Sequence, residues 1–228
     1  MPMARWKDLC VDARDPHALA SFWGAALGRQ AVAVREGLCR VDGARPEETV
    51  WFNPVPEPKS VKHRVHLDLK VGDLEGLRGL GARVLQAPGE DRSWWVLADP
   101  DGGELCAFVR DGLPSLPGRC FEMVVDAGDP AAQARWWADV LGGEAVPDED
   151  GPWSSVTGIP GAPFEFLVFA PVPEPKTVKN RVHWDVESAD VDGLVARGAR
   201  VLREPDHNVR WHVLADPEGN EFCVFSPS

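Results

Sequence analysis

"VPEPKSVKHRVHLDLKV", residues 55–71, returns as "VPEPKTVKNRVHWDVES", residues 172–188. A string of this length points to an internal duplication, and a duplication decides how the rest of the chain is read. Working outward, an offset of 117 pairs His66 with His183, Asp99 with Asp216 and Cys106 with Cys223. Further upstream the offset is 114, pairing Asp15-Pro16 with Asp129-Pro130 and Gly28 with Gly142. The length difference falls between these blocks, where loops absorb it. The halves meet near "RDGLPSLPGR", whose Gly and Pro suit a linker, which places the domains at 1–112 and 119–228.

Each half reads as strand, helix and three strands, and then the same again. Trp6 to Ala13 alternates as a strand, and "DPHALASFWGAALG" follows with Asp15 as N-cap, Pro16 at the first helical position and Gly28 as the stop. Leu19, Phe22, Trp23, Ala26 and Leu27 recur at helical spacing as its buried stripe. "ETVWFNP" closes the first unit. The second opens at His63 to Val71, continues into a short helix capped by Asp73, and ends with strands near 83–86, 93–98 and 104–109.

Four units of this kind, carried by "DPHALASFWGAALG", "HRVHLDL", "GLGARVL" and "VLADPDGGELCAF" with their twins, resemble the vicinal oxygen chelate superfamily over almost the whole chain. That superfamily includes glyoxalase I, extradiol dioxygenases and the fosfomycin- and bleomycin-resistance proteins; the wording here is most similar to its glyoxalase-like branch. The resemblance implies an α+β fold of four βαβββ modules in two tandem glyoxalase-like domains, whose curved mixed sheets form open clefts. The expected layout pairs the two units of each half around one cleft.

Strand alternation says what lines such a cleft. Val65, Leu67, Leu69 and Val71 suit the face under the helix, which puts Arg64, His66, Asp68 and Lys70 on the other face. The twin strand keeps Arg181, His183 and Asp185 there. The last strands add Glu104, Cys106 and Phe108, or Glu221, Cys223 and Phe225; the first strands add Asp8, Cys10 and Asp12, or Glu122, Val124 and Asp126. A merely solvated face would alternate in the same way, but Cys and Phe are poor choices for open water.

The resemblance implies a divalent ion held by a first-strand residue, a His or Glu opening the fifth strand, and a Glu on the last. On this chain those positions are Asp8 or Glu122, His66 or His183, and Cys106 or Cys223 in place of the last-strand Glu. Glu104 and Glu221 are substitutes two residues earlier. Thiolate with imidazole and one acid leans toward zinc, whereas imidazole and carboxylate suit iron(II), manganese or nickel. Against a metal, Asp68 and Asp185 each follow a His by two residues and are expected to favour a protonated imidazole, which suits an anion. Ligand contacts are therefore assigned to Arg64, His66, Asp68, Arg181, His183 and Asp185, with Trp95 and Trp211 as stacking walls.

A net charge of −12 argues against nucleic acid or an anionic membrane as partner, and no apolar run is long enough to span a bilayer. "MPMARWKDLC" lacks signal-peptide features and five scattered cysteines fit no disulfide framework, so a cytoplasmic protein is expected, as a monomer with an internal pseudo-dimer or as a homodimer. No nucleophile elbow, Walker loop, HExxH or dinucleotide fingerprint is present. Two functions follow as expectations: metal-free binding or sequestration of a small anionic or aromatic molecule, or a divalent-metal-dependent lyase, isomerase or dioxygenase acting on vicinal oxygens.

Overall fold

The computed structural model describes residues 2–90, 92–149 and 151–227. The first unit comprises β1 (Arg5–Ala13), α1 (Pro16–Leu27), β2 (Gln30–Arg35), β3 (Leu38–Asp42) and β4 (Val50–Pro54). The second comprises β5 (Val65–Val71), α2 (Glu75–Gly79), β6 (Arg83–Gln86), β7 (Trp95–Ala98) and β8 (Glu104–Val109). The third runs through β9 (Arg119–Ala127), α3 (Pro130–Leu141), β10 (Glu144–Pro147), β11 (Ser154–Thr157) and β12 (Phe166–Pro171). The fourth runs through β13 (Val182–Glu187), α4 (Val191–Ala196), β14 (Arg200–Arg203), β15 (His212–Ala215) and β16 (Glu221–Phe225). The four βαβββ modules are those expected.

Local chemistry sets the helix ends. Asp15 and Asp129 accept from the backbone N–H groups of Ala18 and Ala132, and Gly28 and Gly142 take the left-handed conformation that stops each helix. The expected cap of α2 at Asp73 is corrected: Leu74 is the cap residue, and Asp73, one position earlier, accepts from the N–H of Glu75.

The pairing of the units departs from the expected layout. One eight-stranded sheet has the order β14-β15-β16-β13-β1-β4-β3-β2, and the other β10-β11-β12-β9-β5-β8-β7-β6. The first sheet therefore joins units one and four, and the second joins units two and three. The reason lies in the central seams: β1 runs antiparallel to β13, and β5 antiparallel to β9. Each cleft is built across the two sequence halves.

Within a half, the units meet through the helix instead. Trp23 of α1 donates to Asp99 after β7, and its twin Trp137 of α3 donates to Asp216 after β15, at 3.4 and 3.2 Å. Those aspartates also accept backbone N–H groups of their own turns, so the "ADP" turns are structural anchors. One buried cluster runs through both halves, with Trp137, Trp184, Phe52 and Phe169 among its fully buried members. Among the described residues no helix is long and apolar enough to cross a membrane.

Candidate functional site

The second sheet brings β5, β8 and β9 side by side, with Asp68 opposite Cys106 on one flank and Glu122 on the other. His66, Asp68 and Cys106 place their donor atoms within 4.8 Å of one another. His66 Nε2 lies 3.4 Å from Asp68 Oδ1. Neither that oxygen nor His66 Nδ1 has a hydrogen-bond partner, although both are buried. A buried polar atom without a partner costs about 1–3 kcal/mol.

Its protonation is the reverse of the sequence expectation. Burial pushes the His66 imidazole down to about 3, with the Lys62 ammonium adding to the effect. Burial and the adjacent Glu122 hold the Asp68 carboxyl well above the usual carboxylate range, and burial raises Glu122 to about 6. The expected protonated imidazole is thus corrected: desolvation outweighs the i, i+2 carboxylate, the imidazole is neutral, and Asp68 keeps a proton that it shares with Glu122. Burial also pushes the Cys106 thiol up, so this is not an activated nucleophile.

The first sheet builds the twin floor from Cys10, His183 and Asp185, again with donor atoms within 4.8 Å. Cys10 Sγ lies 3.6 Å from Asp185 Oδ2, and His183 Nε2 lies 3.8 Å from Asp185 Oδ1. Burial lowers His183 and raises Asp185, the latter reinforced by Asp8. Asp8 itself accepts from Lys7 and from Trp51 Nε1.

These sets correct the grouping read from sequence. Asp8 belongs with His183 and Cys223, and Glu122 with His66 and Cys106, because the first strand of each half pairs with the fifth strand of the other. Glu104 and Glu221 are committed elsewhere. Glu104 accepts from Lys59 Nζ and the His63 N–H, and Glu221 from Lys176 Nζ and the Asn180 N–H.

Arg64 and Arg181 leave the cleft for a central cavity of about 580 Å³ between the two copies of the "EPK" loop. There each guanidinium clasps the other half: Arg64 donates to the carbonyls of Glu174 and Asp126, and Arg181 to the carbonyl of Glu57 and to Asp101. Lys62 and Lys179 add ion pairs across the halves to Asp126 and Asp12. Much of the repeated string is therefore a clasp, and only its His and Asp form cleft floor.

Trp95 pairs with core-facing Ala107 and packs on the core; the cleft wall is Trp94, just before that strand. Trp94 stacks on Phe108 at 5.5 Å and meets Trp153 edge-on at 6.3 Å. Trp211 stacks on Phe225 at 4.9 Å in the first cleft. Cys10, placed on the cleft face by its alternation with Asp8 and Asp12, is part of the first floor. The second cleft encloses about 1010 Å³, with His66, Asp68, Cys106 and Glu122 below and Trp94, Phe108, Trp153 and Phe166 around it.

A family model described as "Glyoxalase-like domain" matches residues 8–108 and again 122–225. The chain belongs to the glyoxalase-like domain family, within the vicinal oxygen chelate superfamily. No curated protein matches it in sequence. Among solved structures, glyoxalase I from Zea mays superposes with a TM-score of 0.64 at 14% identity, over 98% of this chain and 92% of that one. A putative dioxygenase from Bacillus subtilis superposes at 0.65 and 12% identity, over 100% and 87%. The cppA protein of Streptococcus pneumoniae superposes at 0.52 and 11% identity, over 98% and 100%. At these identities the likeness carries the glyoxalase-like fold and nothing about the ligand.

The donors of this glyoxalase-like chain fit a divalent ion of the zinc type: a neutral imidazole, a carboxyl and a thiol in each floor, with Glu122 or Asp8 alongside. Bound there, an ion supplies Lewis-acid stabilisation of negative charge on oxygen. The outer shell fits less well, because a ligating His normally donates its second N–H to an acceptor, and Nδ1 of both His66 and His183 has none.

Proposed function

We propose that this glyoxalase-like protein binds a planar small molecule in the second cleft, between the Trp94, Phe108 and Trp153 walls and over the His66, Asp68 and Glu122 floor. The observation that carries this reading is the combination of a cavity of about 1010 Å³, three ring walls and unpartnered buried atoms at its base. The floor supplies hydrogen-bond donors and acceptors; the rings supply stacking area. The five cysteines, all free, fit a reducing cytoplasm. A screen of planar heterocycles by tryptophan fluorescence and thermal shift tests it. Saturable quenching that disappears in Trp94→Ala/Trp153→Ala is expected; quenching that survives that double change would place the ligand elsewhere.

A second reading rests on the two donor clusters: a divalent-metal-dependent lyase, isomerase or dioxygenase, with His66 or His183 as ligand. Elemental analysis of protein purified without chelator decides it. One or two equivalents of metal, removed together by His66→Ala/His183→Ala, support it; a clean zero after incubation with zinc, iron(II), manganese and nickel sinks it.

A further inference from the structure

The two clefts share a floor but not an occupant. In the first cleft, Lys7 places its ammonium 4.4 Å over the Phe225 ring and pairs with Asp8. Trp51 reaches the same carboxylate at 3.1 Å, and the Arg40 guanidinium lies 5.5 Å over Trp51. A cation and a flat ring of the chain itself thus sit on the acidic floor.

The equivalent positions in the second cleft are smaller or apolar. Sheet register makes Ser155 and Val168 the counterparts of Arg40 and Trp51, and both line the open cavity. Phe121 takes the place of Lys7, and its ring meets Phe108 edge-on at 5.1 Å. Glu122, the counterpart of Asp8, has no ammonium or guanidinium within ion-pair distance among the described residues. The nearby cations bind elsewhere: Lys70 lies over Phe121 beside Glu165 and acts on Glu122 only through space, Arg110 lies 5.5 Å over Phe108 and bonds the Val109 carbonyl, both outside the cavity lining, and Lys62 is on Asp126. Among the described residues six carboxylic side chains line this cavity with two cationic ones, Lys62 and Arg92; Glu104 and Asp126 are paired with Lys59 and Lys62.

We infer that Lys7, Arg40 and Trp51 are built-in occupants that close the first cleft, and that the second cleft, which lacks them, takes one planar cation per chain. The inference rests on the ligand-binding reading above and names the class of that ligand. A delocalised or quaternary nitrogen over Phe108 and Trp94, with its charge toward Glu122 and Asp68, reproduces what Lys7 and Trp51 supply next door. The anionic ligand expected from sequence loses its basis here, since Arg64 and Arg181 point into the central cavity.

Three bicyclic probes of nearly equal size test this on chelator-treated full-length chain at low salt: N-methylquinolinium, quinoline, and quinoline-2-carboxylate, each titrated by calorimetry at pH 8. The expected result is one equivalent of the cation, bound ~tenfold or more tighter than neutral quinoline, with the carboxylate weakest. Glu122→Gln should remove the advantage of the cation while leaving quinoline unchanged. Lys7→Ala/Arg40→Ser/Trp51→Val should raise the stoichiometry of the cation from one to two. Equal affinity for quinoline and the cation would overturn the charge assignment while leaving the cleft reading intact. Two equivalents in the parent chain would overturn the built-in occupants, and binding of none of the three would overturn both this inference and the reading beneath it.

Discussion

The two clefts started from one sequence and differ where strand pairing left them free to differ. Their floors correspond residue by residue: His66 with His183, Asp68 with Asp185, Cys106 with Cys223, Glu122 with Asp8. Their walls do not. Arg40 and Trp51 fill the first cleft where Ser155 and Val168 leave the second open, and Cys10 gives the first floor a thiol where Val124 gives the second a methyl group. The difference teaches that the floor on the central strands was kept in both copies, whereas the half-buried side chains on the strands beside it were free to change.

The largest expected effect comes from erasing that difference. Ser155→Arg with Val168→Trp copies the filling of the first cleft into the second, and should weaken N-methylquinolinium binding ~100-fold by calorimetry while leaving the melting temperature close to that of the parent. Retained affinity would mean that the wall residues do not decide access.

Zinc offers a second way to sharpen the comparison. If the floors take metal, the thiol donor is Cys10 in the first and Cys106 in the second, so Cys10→Val should weaken zinc at the first floor by ~30-fold and leave the second unchanged. The affinity of both floors should rise with pH, because Asp68, Asp185 and the thiols hold protons that a metal must displace. Zinc titrations at pH 6, 7 and 8 read both effects; a flat profile would show that the metal sits elsewhere.

The clasp is common to both halves, and cutting it should act on stability without regard to cleft. Arg64→Ala removes two hydrogen bonds to carbonyls of the opposite half and should cost about 1–2 kcal/mol in urea unfolding. Lys62→Ala, which removes an ion pair whose lysine is more than half exposed, should cost less, about 0.5 kcal/mol.

The floor of the second cleft should also leave a pH dependence. Burial raises Glu122 to about 6 from 4.5, so the folded chain holds that proton more tightly than the unfolded chain. The resulting stabilisation is present below about pH 4.5 and lost as pH rises through about 6, amounting to ~1 kcal/mol once its partial exposure is allowed for. Unfolding free energy of the parent should therefore fall across this window relative to Glu122→Gln.

Much of this was legible beforehand. The helix caps at Asp15 and Gly28, the four βαβββ units and the inward face of His66, Asp68 and Cys106 all follow from local spacing, and the structure has them where spacing puts them. The protonation of the floor was not legible, because the sequence displays the Asp beside His66 but not the desolvation that overrides it. Trp95 was the wall expected, and only its register against Ala107 shows that it packs on the core and that Trp94 lines the cleft. Arg64 lies on the cleft face by alternation, yet its long side chain swings to Glu174 across the molecule.

The sequence by itself determined the duplication, the order of elements and which faces of the strands are polar, since these depend on contacts between residues close along the chain. Only the tertiary structure decided that β1 seats against β13 and β5 against β9, so that each cleft draws one unit from each half. The physical reason is that an unpaired central strand edge, with its row of unsatisfied N–H and C=O groups, is equally complementary in local sequence to either twin. Which twin it meets is fixed by the packing of the whole chain around one shared core.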